Sequence, residues 1–326
     1  MLVKYTKATA TLCFYTLLAV YCLSVNNITL ANEWGLEKQK PEHDKCDSII
    51  LHYDGEAWNT VYHGFNMWLN DIFGFDDNDI FAIGKHGTIL HYNGKSWEEQ
   101  KSRITSKLTQ IWGKSRNNIY IVGDHGTILH HDSIEWRSPE HYSIVNWLSG
   151  IWGFHDDCIF VVGSLGKILH YDGKAWKEQN SNTTNWLYGV WGNGEDDIYA
   201  VGDYGTVLHY NGKQWEKSVQ ITNKRLMSVW GTDTNNVFIA GTDGIILHYD
   251  GTRWANHASN TTNWLRMIWG IDKNNIISVG DNGTILYYDG VKWIKQKSVT
   301  NYLLLGIWGN RKDNIYVVGY NPESHH

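Results

Sequence analysis

A chain of 326 residues is long enough to bury a large core in one domain or two, and this one carries 18 Trp, 19 Tyr and 32 Gly against only 3 Pro. That balance points to short strands joined by tight turns rather than long helices. A formal net charge of −6 leaves no basic surplus with which to capture nucleic acid, so that class of partner is excluded.

The first segment reads as an export signal. Lys4 and Lys7 precede a mostly apolar run over 11–25, and Thr29-Leu30-Ala31 sets a small residue at a cleavage point before Asn32. Residues 1–31 are therefore expected to be a signal peptide, which would place the protein in the periplasm or outside the cell. The alternative is an uncleaved membrane anchor over residues 8–25, which would be the sole membrane contact. That run is short for a span and is broken by Thr and Ser. Cleavage after Ala31 removes Cys13 and Cys22 and leaves Cys46 and Cys158. The repeat described next sets those two far apart, so both are expected as unpaired thiols. Residues 32–47 form an N-terminal extension.

From residue 48 the chain is periodic. One landmark, Ile/Val-Trp-Gly, places its aromatic at Phe73, Trp112, Trp152, Trp191, Trp230, Trp269 and Trp308, with spacings of 39, 40, 39, 39, 39 and 39. A second, Ile-Leu-His-Tyr-Asp-Gly-x-x-Trp, places its Trp at 58, 97, 136, 176, 215, 254 and 293. From each first landmark to the next second one is always 24 residues; the return interval is 15 except once, 16, between Trp136 and Trp152. Loops accept length changes and packed strands do not, so the interval of 24 is rigid and the return interval contains a loop, lengthened once near Pro139.

Each unit reads as four strands. In the fourth full copy these are 186–191 (strand a), 197–201 (b), 206–210 (c) and 214–219 (d), all rich in β-branched and aromatic residues. Asn211-Gly212 turns c into d, as Asn-Gly or Asp-Gly does in most copies, and Gly-x-x-Gly turns b into c in six. A period near 40 with four strands per unit is the mark of a propeller blade. The chain starts on a half-unit, 48–62, holding only strands c and d, and stops on the other half, 303–318, holding only a and b. The expected fold is all-β: a seven-bladed β-propeller over 48–320, closed by pairing the N-terminal c and d strands with the C-terminal a and b strands, with 321–326 as a tail. Closure removes the exposed strand edges that an open array would have to cap.

The run I-W-G…D-[IV]-Y-A-V-G-x-x-G-[TV]-[IV]-L-H-Y-[DN]-G-x-x-W resembles that of a group of bacterial repeat propellers, over about residues 48–320. More distantly it is similar to the photosystem II stability/assembly factor propellers, which implies the same fold and an assembly role. The Asp-Gly-x-x-Trp hairpin is also similar to the Asp-box of sialidases and related propellers. Asp and Gly are adjacent here, which departs from that pattern, so sialidase-type chemistry is not implied.

The repeating His at 52, 91, 130, 170, 209 and 248, with Tyr287 in the seventh place, falls once per blade. A metal needs several ligands converging on one point, so these are expected to be structural, bonded between strands. The Trp of both landmarks, and Leu69, Leu108, Leu148, Leu187, Leu226, Leu265 and Leu304, recur in nearly every copy and are assigned to the core.

Function is sought where copies differ. Five residues before the first-landmark aromatic lie Trp68, Lys107, Trp147, Trp186, Arg225, Trp264 and Leu303. They open strand a, innermost in a propeller, and are expected to ring the mouth of the central channel, where Trp, Lys and Arg could stack on a sugar, an aromatic group or a peptide. The alternative is that these Trp wedge between blades. His141 and Tyr142, in the lengthened connection, are placed on the same face. The b–c turns there also vary, and Asp124, His86 and His125 do not have close metal-ligand spacing.

No nucleophile elbow, P-loop, dinucleotide fingerprint or haem attachment occurs. The expectation is a non-catalytic binding or assembly scaffold that presents its loop-rich face to a protein or glycan, with no cofactor and no metal. The alternative is an enzyme, or the propeller subunit of an enzyme complex, glycosidase-like or cofactor-dependent, with its site at the channel mouth.

Overall fold

The computed structural model describes residues 48–65, 67–138, 146–218 and 220–323. Among them are seven four-stranded antiparallel sheets and no α-helix. None of the described residues forms a helix long and apolar enough to cross a membrane. The segment 8–25 and Cys46 lie outside the described residues. Six blades run a to d in chain order, with strand a starting at Leu69, Leu108, Leu148, Leu187, Leu226 and Leu265 for blades 1 to 6. In blade 4 the strands are Leu187–Gly194, Asp197–Gly202, Val207–Tyr210 and Trp215–Lys217.

Blade 7 is built from both ends of the propeller chain. Its order is Trp58–Gly64, Ser48–Tyr53, Asn314–Tyr320, Leu303–Arg311. Ser48 stands opposite Tyr320, and the register continues to Tyr53 opposite Ile315. Antiparallel pairing thus spans the two half-units, and strand b of this blade has a neighbour on each side.

The core lies between blades. The Leu that starts or nearly starts each strand a, from Leu69 to Leu304, is fully buried in all seven copies. Next comes an interlock that accounts for Trp-Gly. The six-membered ring of Trp230 lies over Gly270 of the next blade, where an added methyl carbon would come within 2.6 Å of it, and Trp308 lies over Gly74 in the same way across the closure. Any side chain at those glycines would collide with the indole. Trp191 and Trp308 are buried, whereas Trp112, Trp152, Trp230 and Trp269 are half-buried and keep an edge on the central cavity. The assignment of this landmark wholly to the core is corrected to that extent: strand a is innermost, so one side of its ring borders the channel.

The strand-c histidines are structural. His91, His209 and His52 bond through Nε2 to Asp79, Asp197 and Asn314 at the start of strand b, each at 2.7 Å. Each His also stacks on the strand-b aromatic, as His170 does on Phe160 at 4.3 Å. The seventh copy conserves the geometry with different atoms, since Tyr287 Oη donates to Asn275 Oδ1 at 2.6 Å. Where strand b starts with Cys158, the contact with His170 lengthens to 3.7 Å.

Gly-x-x-Gly has two separate causes. Gly202 has extended backbone that any residue could adopt, but a Cβ there would overlap the Trp186 carbonyl. Gly205 has φ +68, and a Cβ would overlap the Thr222 carbonyl of the following loop.

The channel mouth as candidate site

The b–c turn and the entry to strand a are tied together by backbone. The amide of Asp203 donates to the Trp186 carbonyl at 2.9 Å, Ser164 to Trp147 at 2.8 Å, and Thr242 to Arg225 at 2.9 Å. Trp186 itself precedes the first paired residue, Leu187, so strand a begins one residue later than the sequence suggested. The carbonyl of Trp186 is taken by the turn, which draws the residue away from the sheet and toward the mouth. Sequence variation at this position and in the b–c turns therefore converges on one face.

That face opens into a central cavity of about 890 Å³. Of the expected residues, Lys107, Trp147, Trp186, Arg225 and Leu303 line it. Trp68 does not. Its ring stacks on Tyr320 of blade 7 with centroids 4.8 Å apart and planes 9° from parallel, and Lys85 Nζ sits 3.8 Å from the ring centre. For this copy the wedge between blades is the correct reading, because blade 7 supplies an aromatic at Tyr320 where other copies have Lys, Asp, Ser or Thr. Trp264 also lies off the cavity wall, with the guanidinium groups of Arg225 and Arg266 over its ring. His141 and Tyr142 fall outside the described residues.

A continuous row crosses blades 3 to 6. Trp147 meets Trp186 edge-on at 5.3 Å, and Trp186 stacks on Tyr188 at 5.5 Å. The Arg225 guanidinium lies 5.2 Å from Tyr188 and 5.9 Å from Trp264, and Arg266 lies 4.7 Å from the other end of that contact, on Trp264. Hydrogen bonds fix the members. Trp186 Nε1 donates to Ser149 Oγ at 2.7 Å, Arg225 Nε donates to Asp203 Oδ1 at 2.6 Å, and Arg266 grips both oxygens of Asp281 at 2.7 and 3.0 Å. Burial first, and then the Asp203 carboxylate, push the Tyr188 phenol up to about 12, so it serves as a donor and not as an anion. Trp147 is 47% exposed.

Tyr188 and Arg266 belong to a second varying position, one residue after the buried Leu: Asn70, Thr109, Ser149, Tyr188, Met227, Arg266 and Leu305. Residues on either side of a strand residue share its opposite face, so this position flanks the same cavity as the first. Reading only the first position missed it. Deeper in the wall, the Asp71 carboxylate is 4% exposed and accepts the Ile111 amide through Oδ2 at 3.0 Å. Gln110 and Ser228 accept the Ile151 and Ile268 amides of their neighbouring blades from the same place. Among the described residues, no three His, Cys, Asp or Glu groups come together as a metal site. What the mouth can do is stack on planar or apolar groups, donate hydrogen bonds and face anionic ones.

No family model matches the chain, and no curated protein matches its sequence. Solved structures do match in shape. YCF48 from Cyanidioschyzon merolae has a TM-score of 0.64 at 15% identity, over 82% of this chain and 99% of that one. A structure of YCF48 bound to D1 peptide has a TM-score of 0.64 at 15% identity, over 86% and 96%. The WD40 propeller domain of Doa1 has a TM-score of 0.61 at 13% identity, over 80% and 94%. Likeness at such identity is one of fold: the chain is a seven-bladed β-propeller whose structural neighbours include YCF48 and WD40 propellers.

Proposed function

We propose that this protein is a binding or assembly scaffold that engages a protein partner at the channel mouth of its loop-rich face. The observation that carries this reading is the row Trp147–Trp186–Tyr188–Arg225–Trp264–Arg266. Trp186, Arg225 and Arg266 are held in place by hydrogen bonds, and all members but Trp264 line a cavity large enough for side chains. Both carboxylates of the row, Asp203 and Asp281, are engaged by arginines, which suits positioning better than proton transfer. Among structural neighbours, one is a YCF48 bound to a peptide. Export, proposed from residues 1–31 alone, would put the encounter outside the cytoplasm.

The test places a photo-crosslinking amino acid at Lys107, on the mouth, or at Val291, exposed in a c–d turn at the opposite end. Protein adducts from position 107 and none from 291, recovered from cells of the source, are expected. Adducts from 291 alone would move the site to the other face. Binding on a glycan array without protein adducts would replace the protein partner by a sugar.

A further inference from the structure

Five residues at the tips of the b–c turns besides glycine adopt left-handed backbone with φ between 55 and 58: His86, His125, Leu165, Tyr204 and Asp243, and Asn282 follows at φ 54. Asp, Asn and His tolerate this region because their side chains can bond locally. Leu165 and Tyr204 do not belong to that set. They are also among the most exposed large side chains of the molecule, at 70% and 68%. Each thus combines an unfavourable backbone conformation with apolar surface left in water, and neither is needed by the fold, since four other copies make the same turn with polar residues.

The two stand on neighbouring blades, 3 and 4. Each follows a residue whose amide is bonded to a mouth tryptophan: Ser164 to Trp147 before Leu165, and Asp203 to Trp186 before Tyr204. Trp147 and Trp186 touch each other. Gln220 Nε2 further holds the Tyr204 carbonyl at 2.8 Å, so the tip is anchored while its ring is free. The two apolar tips are thus each one backbone hydrogen bond removed from the paired tryptophans. Beyond the tryptophans the chemistry changes. Arg225 spends only Nε on Asp203, and its terminal nitrogens make no hydrogen bond among the described residues. Lys107, exposed on the same cavity wall, makes no ion pair among them.

We propose that Leu165 and Tyr204 are specificity-determining contacts for an extended peptide segment of the partner, which sets aliphatic or aromatic side chains on these two tips and a carboxylate on Arg225. This rests on the reading of the mouth as a protein-binding site and narrows it to blades 3 to 5, with the apolar contacts on blades 3 and 4. The apolar tips select the side chains, and the two Arg225 nitrogens that carry no hydrogen bond, together with the Lys107 ammonium, select an acidic acceptor.

The test pans a displayed library of random dodecamer peptides on the full-length protein, then measures the enriched peptides on Leu165→Asn/Tyr204→Asn and on Trp186→Ala. Asn suits left-handed backbone, so the double variant should melt at the same temperature as the parent or higher. Enriched sequences that pair an apolar residue with an acidic one, and that lose affinity about tenfold or more on the double variant, are expected. Peptides that need Trp186 but ignore the double variant would overturn this inference and leave the mouth as the site. No enrichment over a blank surface would overturn both. A concentration-dependent dimer that the double variant dissolves, seen by sedimentation, would overturn the peptide assignment in favour of a second copy of this chain.

Discussion

The carboxylate of Asp71 is buried in the channel wall of blade 1 and accepts the amide of Ile111, on blade 2, at 3.0 Å. Burial outweighs the Ile111 and Ile72 amides and pushes its pKa up to about 7. Below about pH 4 the acid is protonated in both the folded and the unfolded chain. Between about 4 and 7 the unfolded chain ionises while the fold keeps its proton, so stability falls as pH rises. Above about 7 both forms are ionised and the loss is constant, up to roughly 4 kcal/mol.

Asp71→Asn keeps an acceptor for Ile111 and removes the titration. Its stability relative to the parent should grow from pH 4 to 7 and then level off, measured by urea unfolding at each pH. The difference is the right quantity because His130, His170 and His248 act with the opposite sign. Burial lowers their pKa, so the stability they provide is present above the ordinary histidine value and is lost as pH falls through it. A pH-independent difference would show that Asp71 ionises like an exposed acid.

Trp147 and Trp186 should differ in what they give to the fold. Trp147, half in water and holding its partner only edge-on, should cost less than about 1 kcal/mol when truncated to Ala. Trp186 loses the Ser149 bond and the Tyr188 stack as well, and Trp186→Ala should cost about 2–3 kcal/mol. Equilibrium unfolding of the two variants decides. Equal costs would mean that the exposure of Trp147 does not reflect the packing in solution.

Removing residues 48–64 strips strands c and d from blade 7. The edge of Asn314–Tyr320 is laid bare and the buried partners of Ile49, Ile50 and Leu51 are uncovered. Aggregation or loss of a cooperative melt is expected by calorimetry and light scattering. A soluble monomer that melts cooperatively would mean that the ring does not depend on this pairing.

Cys158 is buried at the start of strand b, and burial pushes its thiol up to about 11. Iodoacetamide at pH 8 should leave the Cys158 peptide unmodified in the folded protein and label it fully in denaturant, as read by peptide mass mapping. Labelling of the folded protein would place Cys158 at the surface.

The fold was legible because seven copies state the same packing problem. Leu187 and its equivalents are buried in every blade, and the Asn211-Gly212 type of hairpin recurs with them, so spacing alone separates strands from loops. The binding partners of the strand-c histidines were less visible: each lies 12 residues before its His or, for His52, 262 residues beyond it. The site was half legible. Variation singled out Trp147, Trp186 and Arg225, but the fate of Trp68 depended on Tyr320 of the neighbouring blade, which no property of residue 68 reveals. Tyr188 and Arg266 were hidden because the second varying position contains small residues as well, such as Ser149 and Thr109, and looks unremarkable until the pleat places it on the cavity.

The ladder from Ser48–Tyr320 to Tyr53–Ile315 has a bearing on how the chain is made. A ribosome delivers strand Ser48–Tyr53 before any other part of the propeller, and its inner partner, Asn314–Tyr320, after nearly all the rest. Blades 1 to 6 each join neighbouring strands and can assemble as they emerge, whereas the first hairpin must wait with one apolar edge unsatisfied until the last strand arrives. The joining of the two ends is therefore the one blade pairing that cannot form until the whole propeller has been made, and until then the open edge of the first strand can meet other edges.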